Sequence, residues 1–147
     1  MGHFYVDPIA IAESHGIRVE GVPGLEGGVN GIIMRDSNGA IVIKYDSRMH
    51  ENRQRFTIAH ELGHFFHGHL DENHKMFRDP HKNFSLEHYD PKEAEANRYA
   101  ARLLMPKEKI DFLLYKEGIT SIDRMAKLLR VSPAAMTYRL QNLGYIS

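Results

Sequence analysis

The chain has 147 residues, a normal size for one domain and too short for two ordinary ones. Basic and acidic residues balance at 19 each, so no net charge draws the chain toward nucleic acid or an anionic membrane. There are no cysteines, which excludes disulfides, a thiolate-ligated metal and a thiol nucleophile.

The first residues show no basic segment followed by an apolar stretch, and no apolar run is long enough to cross a bilayer. Cytoplasm is the expected compartment, with no membrane among the partners. Asp7-Pro8 predicts a short helix over residues 8–15, since Asp caps well and Pro suits the first turn. Alternation at residues 17–20 predicts a strand, and the glycine-rich stretch 21–31 a loop. Ile32-Ile33-Met34-Arg35 and Ala40–Tyr45 flank Asp36-Ser37-Asn38-Gly39. Asn-Gly between β-branched runs is a strong hairpin signal. An edge of this hairpin could pair with an extended peptide.

A helix is predicted from Glu51 or Asn52 to His67-Gly68. Apolar residues on more than one side imply that it is buried over most of its girth. Residues 69–89 show no period and few large aliphatics, so they are expected to be irregular, with part of them bordering an active-site cleft and more mobile than the helices on either side. Asp90-Pro91 opens a helix to Leu104. Pro106 begins another, to Tyr115. Thr120 or Ser121 caps a third and Ser132-Pro133 a fourth, which ends before Gly144. The fold class is α+β: a small N-terminal antiparallel or mixed sheet, a central helix, then a helical C-terminal segment. The expected division is a core at 1–117 and a helix-turn-helix-like segment at 118–147.

Seven of the ten histidines fall between His60 and His88. His60-Glu61-Leu62-Gly63-His64 is the sharp signal. Imidazoles four residues apart project from one helical face, so both can reach an ion about 2.0–2.1 Å away. Glu61 lies about 100° around the helix, at the rim, where a base belongs. A catalytic zinc needs a third protein ligand and leaves a fourth position to water. A histidine six residues after His64 is ruled out, because Leu70 stands there and His67 replaces the glycine that pattern requires. His67 and His69 are poorly spaced for the task. The alternative is an acid on the next long helix. Glu93 and Glu95 face apart, and Glu95 is preferred: it lies one turn before Tyr99 in a helix expected to bury Ala96, Ala100, Leu103 and Leu104. Glu93 and His88 stay as alternatives.

Two stretches carry a resemblance to a known family. They are Arg55-Phe56-Thr57-Ile58-Ala59-His60-Glu61-Leu62-Gly63-His64 and Glu93-Ala94-Glu95-Ala96-Asn97-Arg98-Tyr99-Ala100 through Met105-Pro106. The chain resembles the ImmA/IrrE metallopeptidases over roughly residues 5–145, with Tyr99 where the family usually has Phe. The resemblance implies a thermolysin-like site with Zn2+ held by His60, His64 and Glu95 and with Glu61 as catalytic base. It implies hydrolysis of a peptide bond in a specific protein substrate: a phage or mobile-element repressor, an antitoxin, or a similar regulator. The oxyanion-stabilising group is open among Tyr99, His88 and Tyr89. A rival expectation is a protein-binding module that keeps zinc but turns over little; intact Glu61 weighs against it.

Residues 120–142 are similar to a helix-turn-helix, with Ala126, Leu129, Val131, Ala135 and Leu140 at packing positions. Segment 119–147 carries Arg124, Lys127, Arg130 and Arg139 against Asp123. That is thin for neutralising phosphates, so packing or protein recognition is favoured over DNA binding.

Overall fold

The computed structural model describes residues 4–70, 76–79 and 90–147, with the backbone alone at 76–79. Helix α1 (Pro8–Ser14) begins as expected: Asp7 Oδ1 accepts from the Ile9 N–H at 3.0 Å, and Pro8 fills a position that has no N–H to satisfy. Gly16, at φ 74°, turns the chain into β1 (Arg18–Val22). Strands β2 (Gly31–Arg35) and β3 (Ile41–Asp46) form the expected antiparallel hairpin, Ile33 opposite Ile43. Its turn is organised by Asp36, whose Oδ1 accepts from the N–H of Asn38 and of Ala40, each at 2.9 Å.

Strand β1 joins β3 in parallel, Arg18 opposite Val42, so the sheet is mixed. A fourth strand, β4 (Met76–Asp79), pairs antiparallel with β2, giving the order β1-β3-β2-β4. Two expectations change. Part of the 69–89 stretch, read as irregular, is a strand. The hairpin has no open edge for a peptide, because β4 covers β2 and β1 covers β3. The remainder of the proposed mobile rim, including His74, His81, His88 and Tyr89, lies outside the described residues. Ile32 and Ile33 are adjacent and both buried, as are Val42 and Ile43, so the middle of the sheet is covered on both faces.

Helix α2 (Glu51–Phe66) packs on β2, β3 and α1. From Thr57 to His64 every residue is buried, as the sequence implied. It opens on an unusual cap, His50 Nδ1 accepting from the Asn52 N–H at 3.0 Å. It closes in a Schellman motif: Gly68 takes φ 71°, its N–H donates to Phe65 O at 3.1 Å, and the His69 N–H donates to His64 O at 2.9 Å. Helix α3 (Pro91–Leu104) starts on Asp90, whose Oδ1 accepts from the Lys92 N–H at 2.9 Å.

The chain forms two compact units, Asp7–Ala100 and residues 101–147 with the N-terminal residues. Residues 101–117, expected with the core, thus group with the C-terminal helices. That second unit holds α4 (Lys107–Asp111), a π-helical turn (Phe112–Lys116), α5 (Ile122–Leu129) and α6 (Pro133–Asn142). Ser121 and Ser132 cap α5 and α6 through their hydroxyls. Arg130 ends α5 at φ 56°, a left-handed cap usually given to glycine, and its guanidinium lies 3.8 Å from the Tyr5 ring centroid. The unit's core is Ile110, Leu113, Met125, Leu129, Met136 and Leu140. Among the described residues no helix is long and apolar enough to cross a membrane.

Candidate metal centre

Helix α2 carries His60, Glu61 and His64 within five residues of its buried surface. His60 is 4 % exposed, and Glu61 and His64 are fully buried. The His60 and His64 rings sit 4.8 Å apart at near right angles, as the i, i+4 spacing requires. Desolvation of this kind is expensive unless the groups meet partners, so the partners identify the site.

The third group is Glu93. Its Oε2 lies 2.9 Å from His60 Nε2 and its Oε1 3.0 Å from His64 Nε2. His60, His64 and Glu93 thereby bring one ligand atom each within 4.8 Å of one another. Glu95, expected in that place, is not brought there. Its carboxylate lies 2.7 Å from His69 Nε2 and 3.6 Å from His67 Nδ1, and its side chain is 40 % exposed. The reason is helical phase. Ala96, Ala100 and Leu104 are fully buried. Counting back by three, seven and eleven residues reaches Glu93, whereas Glu95 sits about 200° around. The same stripe includes Asn97, one turn after Glu93.

Asn97 supplies what the sequence reading could not name. Its Oδ1 lies 2.6 Å from His60 Nδ1. An amide oxygen only accepts, so His60 Nδ1 carries the proton and the neutral ring turns the Nε2 lone pair toward Glu93. His64 Nδ1 meets His69 Nδ1 at 2.9 Å. Burial pushes the His64 pKa down, against the pull of Glu93, and so favours the neutral, ligand-ready imidazole. The hydrogen bond from His69 holds the Glu95 carboxyl below the usual carboxylate range.

Glu61 is the exception to the pairing. Both of its carboxylate oxygens are buried and have no hydrogen-bond partner among the described residues. Space for it comes from Gly31 in β2: a Cβ there would stand 2.8 Å from Glu61 Oε2 and 2.5 Å from Thr57 Cγ2. Gly63 has a matching role between helices, since its added Cβ would meet Ala96 Cα and O at 2.9 Å. The bare backbone lets α3 approach α2 closely enough for Glu93 to reach both histidines. Neither glycine was singled out for these roles from sequence. Two imidazole lone pairs and a carboxylate converging on one point suit a divalent cation with nitrogen and oxygen ligands, and an orphaned carboxylate beside them suits a polar reactant. Tyr99, one oxyanion candidate, packs against Phe66 and His67.

The chain is similar to known proteins over most of its length. The IrrE N-terminal-like domain of peptidase family M78 matches residues 12–141. The chain is 34 % identical over 102 residues to the radiation response metalloprotease IrrE of Deinococcus deserti, an overlap of 67 % of this chain and 35 % of that protein. It is 31 % identical over 145 residues to the protein of the same designation from Deinococcus radiodurans, covering 92 % and 42 % of the two chains. The chain therefore spans less than half the length of these curated relatives. With that match over nearly its whole length, the chain belongs to the ImmA/IrrE family of metallopeptidases, through its IrrE N-terminal-like domain.

Proposed function

We propose that this chain is a zinc-dependent endopeptidase that cuts a specific protein substrate, a repressor, antitoxin or similar regulator, in the cytoplasm. The observation that carries the reading is Glu61: a fully buried carboxylate with neither oxygen partnered among the described residues, beside three converging ligand groups. A site that only held a structural metal would have no use for it, and structural zinc is normally closed by four protein ligands. His60, His64 and Glu93 are the residues that would hold Zn2+. Bound there, the ion would lower the pKa of a water and polarise a peptide carbonyl. Glu61 takes the proton from the attacking water and delivers it to the leaving amine. Glu61 is fully buried, and Gly31 leaves the space that its carboxylate occupies. His60 and His64 stay neutral, oriented through Asn97 and His69. The regulator substrate is supported by the family resemblance alone; the relatives' designation as radiation response metalloproteases supports the protease activity.

The test uses the purified chain. Elemental analysis is expected to find about one zinc per chain, strongly reduced in His60→Ala and His64→Ala. Glu61→Gln is expected to keep the zinc and to lose cleavage of the physiological substrate by about 10²–10⁴-fold. Zinc retained in the His60→Ala/His64→Ala double variant would refute the ligand set. Wild-type cleavage by Glu61→Gln would refute the mechanism, and a zinc-loaded protein inert on every regulator tried would leave the interaction-module reading.

A further inference from the structure

The two metal-facing histidines are supported differently from behind. His60 Nδ1 meets the neutral amide oxygen of Asn97. His64 Nδ1 meets a second imidazole, His69, which in turn meets the Glu95 carboxylate at 2.7 Å. His69 is 6 % exposed, so this chain runs from the buried centre to a half-exposed acid. We infer that Glu95 and His69 form a positioning relay, Glu95–His69–His64, that sets how tightly the centre holds its metal. The inference rests on the reading of His60, His64 and Glu93 as the zinc ligands.

The relay grows out of the end of α2. A Schellman motif places the residue two past the cap beside the third residue from the helix end, usually as an apolar contact. Here those positions are His69 and His64, and the contact is a hydrogen bond between rings. Donor and acceptor roles along it are determined by its two ends. With His64 Nε2 committed to the metal, a neutral His64 carries its proton on Nδ1 and donates to His69 Nδ1. His69 then carries its proton on Nε2 and donates to Glu95 Oε1, which as a carboxylate only accepts. With Nε2 on the metal, this arrangement of protons satisfies the contacts of all three residues. It locks the His64 tautomer and lends the ring part of a carboxylate's charge, which makes Nε2 a stronger donor to a cation. His67, 3.6 Å from the other Glu95 oxygen, helps hold the acid in place.

Zinc affinity of the 147-residue chain, measured by competition with a chromophoric chelator, tests this, with melting of the metal-free protein as the control for folding. His69→Ala is expected to weaken zinc binding by about ten- to a hundredfold, the usual effect of losing such a partner. Glu95→Gln, a change at a half-exposed side chain, is expected to weaken it by a smaller factor. His69→Asn puts an amide oxygen where it can accept from His64 Nδ1 but has no ring to reach Glu95. It should therefore recover most of the loss and match Glu95→Gln. The His69→Asn/Glu95→Gln double variant should be no weaker than His69→Asn alone. Tight wild-type binding with unchanged affinity in His69→Ala and Glu95→Gln would overturn the relay, as would additive losses in the double variant. Failure of the wild type to bind zinc at all would instead overturn the metal-site reading.

Discussion

At the residue scale, two positions on α3 separate a buried ligand from a half-exposed support. Glu93 is 7 % exposed and touches both histidines, while Glu95 faces the end of α2. Glu93→Gln preserves shape but removes the charge and a lone-pair donor, so chelator titration is expected to show much weaker zinc binding than in Glu95→Gln. The reverse order would restore Glu95 to the place first expected of it. Gly31→Ala probes the base. The new methyl meets Thr57 Cγ2 and Glu61 Oε2 well inside contact distance, and Glu61 is enclosed. Zinc content is expected to stay near one per chain while substrate cleavage falls, because the carboxylate is displaced and the ligands are not. Wild-type turnover in Gly31→Ala would mean that Glu61 has more room than its burial indicates.

At the scale of elements, the site depends on how closely α2 and α3 approach. Gly63→Ala brings two opposed effects. Replacing glycine inside a helix gains about 1 kcal/mol of helix propensity. Overpacking against the Ala96 backbone costs about 1–3 kcal/mol, since backbone atoms cannot swing aside as a side chain can. The second effect wins or at least cancels the first. The functional consequence is larger than the stability change, because moving α3 by a few tenths of an ångström carries Glu93 away from His60 and His64. Zinc affinity is expected to fall more than the melting temperature of the metal-free protein does. Equal zinc affinity in Gly63→Ala and wild type would show that α3 tolerates the shift. The hairpin belongs to the same scale: Asn38-Gly39 announced it, but its place inside a four-stranded sheet depends on β1 and β4, which pair from distant stretches of sequence.

At the scale of the whole molecule, a metal bound across α2 and α3 ties together segments about thirty residues apart in sequence and so couples binding to folding. With free zinc about 1,000-fold above its dissociation constant, mass action stabilises the folded state by about 4 kcal/mol. In a chain of this length that corresponds to a rise of roughly 10 °C in melting temperature. Calorimetry with and without a chelator checks it, and the difference is expected to vanish in His60→Ala. A chelator effect that persists there would place the stabilising ion elsewhere. Second, the core of residues 101–147 is built from Met125, Leu129, Met136 and Leu140 without any of the three ligand groups. Hydrogen exchange in α5 and α6 is therefore expected to respond less to chelation than exchange in α2.

What the sequence alone determined about this protein was everything carried by short-range periodicity. Helix caps at Asp7 and Ser132, the Asn-Gly turn, the buried α2 and the pairing of His60 with His64 each depend on residues within about one turn of one another. The family followed from the same two local stretches. What only the tertiary structure decided was which groups meet across the gaps: Glu93 and not Glu95 at the histidines, Asn97 behind His60, His69 behind His64, Gly31 opposite Glu61, and β4 beside β2. The physical reason is that a helix offers Glu93 and Glu95 as opposite directions, and the direction that is buried depends on the face it packs against the neighbouring helix. For α3 that face is set by the approach of Ala96 to Gly63, a contact between residues 33 positions apart.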